Sequence, residues 1–83
     1  MRYEIFKYQH IRDLREDNDL TQKVVAQYLS VRPNTYSRYE TGDINIPIDM
    51  LIKLADYYNT SVDYLLGRTD EKKPYPKISK INR

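Results

Sequence analysis

The sequence predicts a compact all-α domain of five short helices, and three observations lead to that fold class. Apolar residues recur every three or four positions, whereas no stretch alternates in the manner of a strand. Two such helical patterns meet at a tight turn within residues 21–40. The chain has 83 residues, 40% of them apolar, which is enough for one small core. We therefore expect a lead-in at 1–6, a helical domain at 7–67 and a basic tail at 68–83.

The first helix is predicted over residues 7–18. Ile11 and Leu14 are spaced i, i+3 and would face inward, because the residues around them are charged. The Asn-Asp pair at 18–19 favours turns and tolerates left-handed conformations, so we expect it to end this helix.

Residues 21–40 contain the next two helices. Thr21 precedes the first of them, where its hydroxyl can accept a hydrogen bond from a free N–H of the first turn. Pro33 suits the first position of the second, because its missing N–H would be unsatisfied there anyway. The connection at 29–32 is too short for antiparallel packing, so the helices must cross steeply, as in a helix-turn-helix. The inward-facing positions of the two helices are Val25, Ala26, Leu29, Tyr36 and Tyr39.

Two further helices are predicted after Gly42, a residue suited to the end of a helix. Pro47 opens the fourth helix, whose broad apolar face must be buried. Ser61 would cap the fifth helix, and Gly67 would end it. The apolar face of the fourth helix consists of Met50, Leu51, Leu54, Ala55 and Tyr58, and that of the fifth of Val62, Leu65 and Leu66.

The two ends of the chain differ from this helical domain. Residues 1–6 are interpreted as an ordered lead-in packed through Phe6, although they could instead lengthen the first helix. Residues 72–83 carry five basic and no acidic side chains, whereas residues 41–71 carry two basic and six acidic ones. Pro-Tyr-Pro at 74–76 favours an extended backbone, so we expect a flexible, poorly packed tail.

Residues 21–40 resemble the helix-turn-helix of the Cro and phage-repressor family. The likeness lies in the Thr-Gln…Ala-Gln…Leu…Val start and the Tyr-Ser-Arg-Tyr-Glu finish, and it extends over roughly residues 7–67. It implies a lambda-repressor-like fold. Two positions depart from the family pattern. Val24 replaces the glutamate of a capping box, and Ser30 stands where a glycine is usual.

The second helix of such a motif can enter a DNA major groove. In this helix, the guanidinium of Arg38 can form two hydrogen bonds with guanine O6 and N7. The amide of Asn34 can do the same with adenine N6 and N7. Pro33 can offer only an apolar contact, for example to a thymine methyl group. The base-reading positions that the resemblance implies are Arg32, Pro33, Asn34, Ser37 and Arg38.

Contacts with the DNA backbone are predicted from both helices of the motif. The backbone N–H and amide of Gln22 can hold a phosphate oxygen, and the resemblance gives Gln22 that role and a brace to the recognition helix. The resemblance also implies a salt bridge between Arg15 and Glu40, which as an exposed pair would contribute about 0–1 kcal/mol. The full set of predicted backbone contacts is Gln22, Arg15, Thr35, Thr41 and Asn45.

Several classes of protein are disfavoured by composition. The chain has no cysteine and a single histidine, His10, so we expect no thiolate or multi-histidine metal site, and His10 is interpreted as a surface side chain. No catalytic constellation, Gly-rich phosphate loop or cofactor motif is present, so we expect no enzyme, no cofactor and no small-molecule ligand. No apolar run approaches the length of a membrane span, so a cytoplasmic protein without membrane contact is expected.

The predicted function is that of a transcriptional regulator, a repressor by family analogy, which binds double-stranded DNA as a homodimer. By the same analogy, the dimer contact is expected at the fifth helix, Tyr64 and the start of the tail. The basic tail at 72–83 is predicted to lie near DNA phosphates, although it could instead lie on the dimer face, away from the duplex, or be held by the acidic segment at 41–71. The alternative is an antitoxin or adaptor-type module, whose tail orders on a protein partner and whose DNA binding is secondary.

Overall fold

The computed structural model describes residues 8–76, which include five helices and no strand. The expectations for Phe6 and the lead-in, and for the tail beyond Pro76, lie outside this range. None of the helices in this range is both long and apolar enough to cross a membrane. The helices are α1 (Gln9–Asp17), α2 (Gln22–Leu29), α3 (Pro33–Thr41), α4 (Ile48–Tyr57) and α5 (Val62–Leu65).

Hydroxyl caps begin two of the helices, as the sequence predicts. Thr21 Oγ1 accepts from the backbone N of Val24 at 3.2 Å, and Ser61 Oγ accepts from the backbone N of Tyr64 at 2.9 Å. Each bond satisfies an N–H that has no partner inside the helix. Pro33 occupies the first turn of α3, as expected from its missing N–H.

Left-handed residues end α2 and α3 and set the direction of the chain after them. Gly42 closes α3 with φ 81°, which glycine adopts without steric cost. Ser30 closes α2 with φ 62° and ψ 38°, and its N–H donates to the carbonyl of Gln27 at 3.1 Å. A residue with a Cβ, such as Ser30, is strained in this left-handed conformation. The strain explains why glycine is usual at this position in the family that the chain resembles.

Replacing Ser30 by glycine is therefore expected to stabilise the domain by about 0.5–1 kcal/mol. The gain is the relief of left-handed strain, less the extra freedom that glycine gives to the unfolded chain. Urea denaturation followed by circular dichroism measures it. Ser30→Ala is the matched control, since it keeps a Cβ at φ 62° and should give no gain. Equal stabilities for the glycine and alanine variants would contradict a strained turn.

The core lies where the inward faces of all five helices meet. Ile11, Val25, Tyr36 and Leu54 are fully buried, as their helical spacing predicts. Of the predicted core residues, Met50, Tyr58 and Val62 are only partly buried, and Leu66 is exposed. Leu66 is 37% exposed and lies at the C-terminal end of α5, whose buried residue is Leu65. The buried apolar residues are Tyr8, Ile11, Leu14, Val25, Ala26, Leu29, Tyr36, Tyr39, Ile46, Leu51, Leu54, Ala55 and Leu65.

His10 joins α1 to α5, and the expectation of an ordinary surface side chain was wrong. Its ring stacks on that of Tyr64 with centroids 4.0 Å apart and planes 10° apart. Its Nδ1 lies 2.6 Å from the Tyr64 carbonyl oxygen. Since a carbonyl oxygen only accepts, Nδ1 must carry a hydrogen. The half-buried Tyr64 is thus engaged within its own domain.

The first part of the predicted tail is held against the domain. Thr60 Oγ1 donates to the Lys72 carbonyl at 2.6 Å, and the Tyr75 hydroxyl donates to Asp63 Oδ2 at 2.6 Å. Pro74, Tyr75 and Pro76 also line a groove beside α4 and α5. These contacts tie residues 71–76, which we call the strap, to the domain, although five of the six residues are exposed, as expected for a poorly packed tail.

Candidate nucleic-acid interface

The outward side of α3 carries the residues predicted to contact bases. Arg32, Pro33, Asn34 and Arg38 are exposed, and Ser37 is half-buried beside them. Asn34 and Arg38 are spaced i, i+4 and therefore lie on one face of the helix. No side chain from the described residues caps the N-terminus of α3, and Arg32 occupies the cap position in an extended conformation.

Arg38 has a partner that the sequence did not indicate. Its Nε lies 3.1 Å from Asp43 Oδ2, in the loop that follows α3. The two side chains are 51% and 60% exposed, so solvent weakens the attraction between them. The guanidinium can therefore leave Asp43 for a base edge, while Asp43 restricts the directions in which it points. A five-residue separation across a left-handed turn is not visible as a helical pattern, which explains why the pair was missed.

The inward side of α3 is fixed by the carboxylate of Glu40. Its Oε2 accepts from Arg15 Nε at 2.6 Å and from the Tyr36 hydroxyl at 2.5 Å. Its Oε1 accepts from Gln22 Nε2 at 2.9 Å and from Arg15 Nη2 at 3.2 Å. One side chain thus links α1, α2 and α3, and we call these four residues the Glu40 network. The predicted salt bridge and the predicted brace from Gln22 are both present.

Burial makes this network more costly to break than an exposed ion pair. The side chains of Arg15 and Glu40 are 13% and 3% exposed, so the assumption of an exposed pair was wrong. Sequence spacing cannot report this, because the burial comes from α1, α2 and α3 closing around the two charges. Removing one partner would leave an almost buried charge without compensation.

The pKa values within the network follow from these contacts. Burial alone would raise the pKa of Glu40, but hydrogen bonds from Arg15, Tyr36 and Gln22 outweigh it and hold the pKa below its ordinary value of 4.5. The hydrogen bond to Glu40 raises the pKa of Arg15. Burial, followed by the hydrogen bond to Glu40, raises the pKa of Tyr36 well above its ordinary range. The network is therefore a carboxylate, a guanidinium and a neutral phenol at neutral pH.

A small polar pocket brings together three of the five residues predicted to contact the DNA backbone. Its volume is about 290 Å³, and its walls include Arg15, Gln22 and Thr41. Arg12 also lines this pocket and was missed by the sequence analysis, which treated it only as one of the charged residues around Ile11 and Leu14. The Gln22 amide and most of the Arg15 guanidinium are engaged by Glu40, so Arg12 is the more exposed cation here.

The remaining predicted backbone contacts lie on α3 and just after it. Thr41 Oγ1 donates to the Arg38 carbonyl at 3.2 Å and accepts from the backbone N of Asp43 at 3.3 Å. It therefore closes the C-terminal end of α3. Thr35 is half-buried on α3, whereas Asn45 is exposed in the loop before α4.

Comparison with known proteins identifies the family of this helical domain. Residues 11–65, more than half of the chain, match the helix-turn-helix family. The chain belongs to the Cro and phage-repressor type of helix-turn-helix family. This family consists of DNA-binding domains rather than enzymes. The match includes the Glu40 network and the outward face of α3, but it ends at Leu65 and leaves out the strap.

Relatives of this helix-turn-helix protein carry regulator names. The uncharacterized HTH-type transcriptional regulator YobD of Bacillus subtilis is 38% identical over 74 residues, which are 89% of this chain and 64% of that protein. HTH-type transcriptional regulator ImmR of Bacillus subtilis is 36% identical over 63 residues, 76% of this chain and 50% of that protein. The cryptic phage CTXphi transcriptional repressor RstR of Vibrio cholerae is 37% identical over 60 residues, 72% of this chain and 54% of that protein.

The alignments cover only part of each of these proteins. They extend over 50% to 64% of the lengths of these relatives. No solved structure gives a significant match to the chain.

Proposed function

We propose that this helix-turn-helix protein is a transcriptional repressor that binds duplex DNA as a homodimer. The observation that carries the proposal is the two-sided character of α3. Its inward side is anchored by the Glu40 network, while its outward side presents Arg32, Asn34 and Arg38 to solvent. A rigid helix with exposed amide and guanidinium groups is what base recognition in the major groove needs.

Direct base contacts are assigned to the outward side of α3. Arg38 offers two parallel N–H groups to guanine, and Asn34 offers a donor and an acceptor to adenine. Arg32 and Pro33 lie at the N-terminal end of the helix, where the positive end of the helix dipole also favours the approach of phosphates. Ser37, which is half-buried, contributes at the edge of this surface.

Contacts with phosphates are assigned to the polar pocket and its surroundings. Gln22 and Thr41 line that pocket, and Arg12 adds an exposed guanidinium. We assign Arg15 a mainly structural role, since Glu40 and the Leu20 carbonyl occupy its guanidinium. Thr35 and Asn45 complete the set of predicted backbone contacts.

The homodimer follows from how little DNA one recognition helix can cover. A single α3 reaches only a few base pairs, so useful specificity needs two half-sites about 34 Å apart, matched by a two-fold symmetric protein. Repression is inferred from the regulator names of the relatives, among which RstR is called a repressor. Selecting bound sequences from a random duplex library tests the proposal. We expect the selected sequences to share a palindromic site. Enrichment of no sequence would favour the antitoxin or adaptor alternative.

Replacing Arg38 by alanine is expected to remove about 1–3 kcal/mol of discrimination at one base pair of the selected site. The fold should survive, because the Arg38 side chain is half-exposed and its ion pair within residues 8–76 is with the exposed Asp43. Binding to the site and to its single-base variants measures the discrimination. Asp43→Asn is the control, since it frees Arg38 and removes a negative charge, and should tighten binding to all sequences. Equal losses on selected and random DNA would make Arg38 a phosphate contact instead.

A further inference from the structure

The outer face of α4 is apolar although it faces solvent. Ile48 is 74% exposed and Ile52 is 50% exposed, and their i, i+4 spacing forms one stripe along the helix. Ile48 is the most exposed large hydrophobic side chain of the described residues. Isolated exposed leucines or isoleucines are ordinary, but two on one helix turn beside a groove indicate a contact surface.

The groove lies next to Ile52, between α4, α5 and the strap. It encloses about 430 Å³, and the apolar groups of Ala55, Val62, Pro74 and Tyr75 contribute to its walls. An isoleucine side chain from another molecule would fit such an opening. The strap supplies three of the nine residues that line the groove, so its attachment through Thr60 and Asp63 shapes the groove.

The charges beside this apolar stripe would attract those of a second copy only if the two α4 helices pack antiparallel. Asp49 and Lys53 flank the apolar stripe, are exposed and are spaced i, i+4, yet the described residues provide neither with an ion pair. If two α4 helices pack antiparallel, with Ile48 of one beside Ile52 of the other, each Asp49 lies next to the other molecule's Lys53. Parallel packing would instead bring Asp49 against Asp49. Both arrangements can be two-fold symmetric, so it is the charges that favour the antiparallel one.

We propose that the outer face of α4 and the adjoining groove form the homodimer interface, with Ile48 of each protomer seated beside Ile52 in the groove of its partner. The inference rests on the homodimer of the proposed function and names its surface. It replaces the contact expected at Tyr64, whose ring is engaged by His10. A helix of ten residues is about 15 Å long, so the interface is small and dimerisation in solution is weak until DNA aligns the two protomers.

Charge reversal tests the proposal through mixing of two variants. In Asp49→Lys alone, lysines would face lysines across the two-fold axis, and in Lys53→Asp alone aspartates would face aspartates. Each single variant should have a dimer dissociation constant about tenfold or more higher than the original protein. Mixed one to one, the two should form a heterodimer, because both cross-pairs are then attractive. Sedimentation equilibrium over a concentration series measures the dimer dissociation constant of each single variant and of their one-to-one mixture.

Matched controls separate this surface from general effects of charge or polarity. Asp17→Lys makes the same charge change on α1, where Asp17 is exposed, and should leave dimerisation unchanged. Ile48→Asp should weaken the dimer, whereas Val24→Asp, at a 43% exposed position on α2, should not. Circular dichroism checks that each variant keeps its helices.

Three results would overturn the inference, and they separate it from the proposed function. Dimers that persist in Asp49→Lys and Ile48→Asp would place the interface elsewhere and leave the homodimer intact. Single variants that dissociate but do not recombine on mixing would reject the antiparallel pairing. An unaltered protein that stays monomeric even on a palindromic site would reject the homodimer itself, while sequence-selective binding to one half-site would still support DNA recognition.

Discussion

Replacing Glu40 by alanine is expected to lower the free energy of unfolding by about 3–5 kcal/mol, a large part of the stability of so small a domain. The substitution leaves Arg15 nearly buried without its carboxylate partner. It also removes the acceptor of the buried Tyr36 hydroxyl and of the Gln22 amide. Chemical denaturation followed by circular dichroism measures the loss.

Glu16→Ala is the matched control for this variant. Glu16 also lies near Arg15, at 3.9 Å, but its side chain is 54% exposed, so its removal should cost no more than about 1 kcal/mol. A Glu40 variant as stable as the Glu16 variant would contradict the stabilising role of the network.

The same pair of variants has a diagnostic pH dependence. Because the pKa of Glu40 lies below 4.5 in the folded protein, the unfolded chain takes up its proton first as the pH falls. The contribution of Glu40 to stability is therefore complete above about pH 4.5 and is lost as the pH drops through the lowered folded value. Glu40→Ala should lack this part of the acid sensitivity, whereas Glu16→Ala should keep it.

Replacing Leu54 by alanine is expected to destabilise the domain by about 2–5 kcal/mol. Leu54 is fully buried on α4, so the substitution removes apolar contacts and leaves a cavity in a core with few residues to refill it. The change in the free energy of unfolding is measured from the shift of the urea denaturation midpoint, provided that the dependence of that free energy on urea concentration is unchanged.

Leu66→Ala makes the identical chemical change at a position that is 37% exposed, and it should cost under about 1 kcal/mol. Similar losses for the two leucines would mean that the cavity at α4 closes by rearrangement.

Local sequence patterns predicted the helices and their ends well, because those features depend on neighbouring residues. The hydroxyl of Thr21 caps α2 within one turn, and Tyr36 and Tyr39 share a face through helical geometry alone. Pro33 and Gly42 act through their own backbone preferences. Each of these can be inferred from a window of a few residues.

Features that depend on distant segments were predicted less well. Family resemblance indicated the Arg15–Glu40 pair, but only the packing of three helices shows that it is buried. The strap and the stacking of His10 on Tyr64 join residues separated by 12 and 54 positions, for which no periodic signal exists. The pairing of Arg38 with Asp43 similarly arises from the turn at Gly42 and not from a helical repeat.

The separation of α3 into an anchored side and an exposed side bears on how such a protein can diverge. If α3 contacts bases as proposed, substitutions at Arg32 and Asn34 would change the DNA sequence that it selects without touching Glu40 or Tyr36, so the binding site could change while the domain keeps its stability. Arg38 is less independent, since its orientation involves Asp43. Evolutionary changes at these two positions would therefore be coupled, and an engineer who redirects the specificity of α3 should vary positions 38 and 43 together.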